Sequence, residues 1–207
     1  MKTVFPFLLL MIGVSIGSPQ GHVTFQNNLP FQTPDPTGGN RLVYEVGTSP
    51  KAVSVVTGVP LIGTQFVAEL YAGTTGDSLV PVTSSISRFR ATTTARPGIW
   101  TVRTLSGLPN DFLLIPVDFG STVFLQVKVW DFDSNGGTIA SSTYETASGL
   151  KGQSIVFTYQ VPAEGDLVPS DYFMEGLQAF SIFAVPEPAV LALSCLGVAG
   201  LFLCRRR

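Results

Sequence analysis

Asp131, Asp133 and Asn135, followed by Gly136, put oxygen-bearing side chains at alternate positions and a glycine where a chain would turn sharply. That order matches the first half of a calcium loop, where carboxylate and amide oxygens ligate a hard cation. The second half departs from it. Position twelve is Ser142 instead of a bidentate glutamate, and Glu145 comes three residues too late. Both flanks alternate as strands do, and Asp, Asn and Gly favour left-handed turns without any ion. A hairpin turn with no cofactor is the expectation here, and Ca2+ binding is the alternative.

Trp100 and Trp130 offer a second chemistry, because broad apolar ring faces can stack on sugars. Trp130 alternates out of phase with Val127 and Val129, and Trp100 lies beside Arg103. Phe124 shares the face of Trp130, which favours a sheet covered on both sides with Trp130 in its core. Glycan stacking is the alternative. The 14 carboxylates could supply a glycosidase pair, but no spacing predicts two of them ~5 Å apart. His22 is the single histidine, so a serine or cysteine triad or a multi-histidine zinc site has little to stand on. Arg88, Arg90, Arg96 and Arg103 form a modest basic stretch, read as an exposed strand face, with anionic exopolysaccharide as the alternative partner.

Those residues belong to a chain of 207, enough for one domain and targeting segments. Only 13% of residues are charged while 45% are hydrophobic, and Gly (21) and Pro (15) are abundant, which favours short strands and turns. Of the 12 basic residues, Lys2 and Arg205–Arg207 lie in the terminal segments, so the stretch between has a clear acidic excess. Nucleic-acid binding, which needs a cationic footprint, is not expected. Both cysteines, Cys195 and Cys204, fall in the terminal apolar run, so the body has no internal disulfide or thiol nucleophile.

The two ends read as addresses. Lys2, an apolar run from Val4 to Ile16 and small residues beyond it form the layout of a secretory signal peptide. Ser15 and Gly17 suit a cut before Ser18, and a cut as late as Gly21 is the other option, giving a leader over 1–21. At the far end, Ala189–Cys204 is an uncharged apolar run reaching ~24 Å as a helix. That is short for a bilayer core of ~30 Å, so local thinning or snorkelling would be needed. Arg205, Arg206 and Arg207 would remain cytoplasmic and leave the domain outside.

Pro186-Glu187-Pro188, a short apolar segment and a terminal arginine cluster together resemble the PEP-CTERM sorting signal of Gram-negative bacteria, here over 185–207. The resemblance implies recognition by an exosortase, a membrane-embedded cysteine transpeptidase-like enzyme. It also implies cleavage near the tripeptide and transfer to the envelope or exopolysaccharide, with Glu187 a recognition residue. The prolines hold the backbone extended, which suits presentation to a protease.

Between the ends, over 22–184, the pattern is strand-like. "STVFLQVKVWDF" alternates, and "QFVAELYA", "SRFRAT", "IWTVRTL", "SIVFTYQ", "QAFSIF", "HVTFQ", "RLVYEV" and "AVSVVT" are further strands. Turn signals such as "PDPTGG", "AGTTGD", "ARPG", "GLPND", "DSNGG" and "PAEGD" separate them. The expected fold is all-β, an antiparallel sandwich of jelly-roll type, flanked by a signal peptide and one transmembrane helix. The segments "GHVTFQNN", "FVAELYAG", "LQVKVWDF", "TYETASG" and "GQSIVFTYQV" are similar to those of a group of PEP-CTERM proteins with no assigned activity, and "DFDSNGG" is longer and more acidic than their turn. The expected role is a structural or adhesive protein of the envelope or extracellular matrix, without catalysis. A carbohydrate-binding module and a secreted polysaccharide hydrolase are the alternatives.

Overall fold

The computed structural model describes residues 21–27, 41–46, 58–91, 97–101, 113–134, 137–165 and 173–184. The leader, the sorting tail, "AVSVVT", Arg96, Arg103, Asn135 and Gly136 lie outside them. The described residues hold ten strands and no helix. In chain order these are β1 (Gly21–Val23), β2 (Val43–Glu45), β3 (Val59–Pro60), β4 (Phe66–Gly73) and β5 (Val80–Arg88). They continue with β6 (Leu113–Ile115), β7 (Thr122–Asp131), β8 (Leu150–Gln153), β9 (Phe157–Gln160) and β10 (Phe180–Ala184).

β4 and β7 are the longest continuous pair, matched from Phe66 opposite Asp131 to Gly73 opposite Phe124. Their residues alternate across the sheet, as a two-residue period requires. Phe66, Ala68, Leu70 and Ala72 share one face with Val123, Leu125, Val127 and Val129, all within the main core. Val23 of β1, Leu113 and Ile115 of β6, Phe25 and Trp100 belong to the same core. β1 and β6 form a two-stranded ribbon apart from the main sheet, whose order is β3-β2-β10-β8-β7-β4-β5. β9 also pairs with β7, beyond β8. Ser154 bridges the gap between β8 and β9: its amide donates to Val127 O at 2.8 Å, and its hydroxyl accepts from Val127 N at 3.0 Å.

The all-β class holds, but the expected purely antiparallel pairing does not. β10 runs parallel to β2, with Phe180 opposite Val43 and Ile182 opposite Glu45, so the sheet is mixed. Parallel neighbours need a long crossover, and here nearly the whole domain lies between the two strands in sequence. The expected strand "SRFRAT" is also displaced, because β5 starts at Val80 and ends at Arg88. β5 closes one edge of the sheet, and Pro81 is tolerated there because an edge strand need not donate every N–H. The register shifts between Ala68 and Leu70, where the Leu70 amide donates to Ser85 Oγ at 2.7 Å. A proline and a bulge on an edge also discourage sheet-to-sheet aggregation.

Gly152 of β8 lies opposite Val129 and against β10. A methyl group there would press into the Ser181 carbonyl oxygen and the Ile182 backbone. Gly152→Ala is expected to cost about 1–3 kcal/mol through forced strand separation. A lowered urea midpoint with unchanged slope would verify it; an unchanged midpoint would count against this close approach.

Candidate functional site

Asp131 ends β7, and its side chain is engaged within its own turn. The Asp133 amide donates to Asp131 Oδ1 at 3.0 Å, and Ser134 Oγ donates to Asp131 O at 3.0 Å. The Gly149 amide in turn donates to Ser134 Oγ at 3.2 Å. β7 and β8 pair antiparallel, and the connection between them runs from 132 to 149. Among the described residues no three His, Cys, Asp or Glu side chains gather where they could hold a metal.

Neither tryptophan offers a face to a sugar, since both are 0% exposed. Trp100 stacks on Phe25 with centroids 5.0 Å apart, meets Phe89 edge-on, and donates from Nε1 to Phe25 O at 3.1 Å. Trp130 lies in a smaller core with Val67 and Ala147, flanked by Ile86, Phe132, Ile139 and Tyr144. Its Nε1 donates to Ser142 Oγ at 3.1 Å. The segment 137–149 therefore covers the outer face of the sheet. The core reading of Trp130 fits this geometry, and Trp100 is as deeply buried.

His22 sits in β1, edge-on to Phe119, and its carbonyl accepts from the Tyr159 hydroxyl at 2.9 Å. Burial lowers its pKa from the ordinary histidine value. Arg88 is exposed at the end of β5, with its guanidinium 5.1 Å from the centre of the Phe132 ring. Arg90 is half-buried, so the two arginines do not make one open basic face.

A polar cluster lies beneath 137–149, and no sequence motif marks it. Glu69 on β4 lies opposite Lys128 on β7, and Trp130 lies opposite Lys151 on β8. Lys128 Nζ is 3.2 Å from Glu145 Oε1, 3.9 Å from the Tyr71 ring centre and 4.9 Å from that of Tyr144. Lys151 Nζ donates to Tyr144 O at 3.0 Å and lies 5.2 Å from the same ring. Two cations thus clamp Tyr144, and Lys128 ties the cover to the sheet. Glu69 is only 4% exposed, and burial raises its pKa despite the Tyr71 hydrogen bond. Tyr71 is raised too, chiefly by burial and then by the two nearby carboxylates. Glu145 is largely exposed; burial opposes its ionisation, but backbone bonding and Lys128 outweigh that and lower its pKa. The one signal available was a lone glutamate within the apolar strand "FVAELYAG".

The two glutamates act on stability in opposite senses. A carboxyl raised on folding contributes stability fully below its unfolded pKa, and that contribution fades as pH rises through the folded value. Glu69 therefore weighs against the fold near neutrality. Glu145, lowered on folding, contributes above its unfolded pKa and loses that as the solution is acidified. Glu69→Gln, which keeps a group able to accept from Tyr71, should leave the pH 7 denaturation midpoint equal to or above wild type. Its stability should also fall less steeply from pH 4.5 upward. Chemical denaturation across that range tests this, and a clear loss at neutral pH would contradict it.

The cluster fastens a surface segment and closes Glu69 and Tyr71 away from solvent. The chemistry that decides the protein's fate is at its end. β10 finishes at Ala184, and a family model described as the PEP-CTERM protein-sorting motif matches residues 184–207. The chain carries a PEP-CTERM sorting motif. It is an exported protein whose precursor is held at the membrane and sorted to the cell surface, with an exosortase as its processing partner. The PEP-CTERM match takes in Pro186, Glu187, Pro188 and Arg205–Arg207, which lie outside the described residues. No helix among the described residues is long and apolar enough to cross a membrane, and Ala189–Cys204 lies outside them. Neither the curated proteins nor the solved structures gave a match.

Proposed function

We propose that the strand-rich domain is non-catalytic cargo, a structural or adhesive element of the envelope or extracellular matrix delivered by the PEP-CTERM tail. In this reading the main sheet and the β1–β6 ribbon pack as the two layers of a sandwich, and the leader and tail serve only transport.

One observation carries the adhesive part. Two large apolar side chains, Ile155 and Val156, are exposed side by side between β8 and β9, away from the Ala184 end of the sheet. Phe124, half-buried, and Val156 would both lie 3.7 Å from a side chain on Gly76, so they share one surface. Exposed apolar groups gathered at one place are a common mark of a contact surface. By contrast, Glu69 lies beneath a pinned segment that shuts it away from solvent, which supports a non-catalytic reading.

The test compares cells displaying wild type with cells displaying Ile155→Asp/Val156→Asp. Attachment to matrix and to other cells should fall several-fold with surface abundance unchanged. Equal attachment would sink the adhesive reading.

A further inference from the structure

We infer that, while the tail is attached, the Ala184 end of the sheet is held against the lipid headgroups with Val59 as its foremost apolar contact. The inference rests on the PEP-CTERM tail acting as a membrane tether. Ala184 is still in the sheet, opposite Leu150 of β8, and β10 also pairs with β2. The sorting match begins at this same residue. From Ala184 to Ala189, where the apolar run starts, a fully extended chain reaches at most ~18 Å. The domain has no slack to turn its other end toward the bilayer.

Strand direction then fixes which of the described strand ends stand at this side. β2 ends at this side with Glu45, β7 with Asp131 and β5 with Arg88, while β3 begins here with Val59 and β4 with Phe66. Val59 lies opposite Glu45, which lies opposite Ile182, two residues from the tether. At 69% it is the most exposed large hydrophobic residue among those described. The charges at this end are of both signs (Glu45, Arg88, Asp131, Asp133 and Lys151), so net attraction to lipid is not what holds it. A short tether supplies a local concentration high enough for one weak apolar contact to matter. The β4–β5 hairpin is at the opposite end, about 30 Å away along a ten-residue strand.

The body contains no cysteine, so single labels can be placed cleanly. The full chain, with Cys195 and Cys204 changed to serine, would carry a dye at Val59→Cys or at Asp77→Cys in the hairpin. It would be inserted into vesicles of phosphatidylethanolamine and phosphatidylglycerol containing a headgroup-labelled acceptor. Energy transfer should be several-fold stronger from Val59→Cys than from Asp77→Cys. Equal or reversed transfer would overturn the orientation. Shielding of Val59→Cys only in membranes that contain exosortase would overturn lipid as the occupant in favour of the enzyme. A chain that fails to float with vesicles would overturn the tether itself, a failure distinguishable from the others.

Discussion

Lys128→Met should destabilise the domain by roughly 1–2 kcal/mol. Its ion pair with the largely exposed Glu145 is screened by solvent, while its contacts with two tyrosine rings and the buried Glu69 are lost as well. Methionine keeps the apolar bulk of the lysine stem, so the loss reports on charge more than on packing. The ammonium lies across Tyr71, near Tyr144 and 3.2 Å from Glu145, and it stands opposite the buried Glu69. Without it, Glu69 keeps its cost of burial and loses its nearest cation, and the cover segment loses its ion pair. For a domain of ordinary stability, 5–15 kcal/mol, this is a substantial fraction. Thermal and urea unfolding measure it. The decisive comparison is with Lys128→Met/Glu69→Gln, which should be more stable than Lys128→Met alone, because removing the stranded charge relieves part of the loss. A double variant weaker than the single would show that Glu69 and Lys128 do not compensate each other.

Trp100→Ala should be worse still, costing about 3–5 kcal/mol and leaving little folded protein at 37 °C. The indole fills the core between Phe25 and Phe89, and its N–H satisfies a buried carbonyl. Its backbone amide donates to Asn27 Oδ1 at 3.3 Å, and the Asn27 amide group donates to Gly98 O at 2.7 Å and Arg41 O at 3.1 Å. Trp100 thus joins segments far apart in sequence. Trp100→Phe retains the ring contacts but strands the Phe25 carbonyl, so it should be milder, about 1–3 kcal/mol. Circular dichroism melts rank the two. A stable, folded Trp100→Ala domain would contradict the core role and return the indole to consideration as a ligand platform.

These predictions concern residues whose places were unevenly legible in the sequence. β4 and β7 could be read directly, because their apolar residues alternate through long runs bounded by turn residues. β5 could not. Its edge position admits Pro81, its bulge breaks the alternation, and buried Ser85 and Ser87 stand where a strand pattern leads one to expect aliphatics. The parallel β2–β10 pair was invisible for another reason: periodicity says which way a side chain faces, not which strand lies alongside. Trp130 could be assigned to a covered face from Phe124 beside it, but the cover comes from 137–149, which reads as a polar turn region. Glu69 was passed over because a lone charge in an apolar strand carries no spacing signal. The tail was the most legible part, since proline, glutamate, apolar run and arginines follow one another in sequence and need no folding to be recognised.

The described residues begin at Gly21 and end at Ala184, beside the expected leader and tail. The Gly21 amide donates to Val117 O at 2.6 Å, and a side chain on Gly21 would come within 2.7 Å of Val161. At the other end Ala184 is the last residue of β10.

The most direct measurement is mass spectrometry of the C-terminus of protein extracted from the surface of cells that encode an exosortase. The expected terminus lies between Ala184 and Ala189, with the apolar run and Arg205–Arg207 gone. Surface protein that still ends in Arg207 would contradict it.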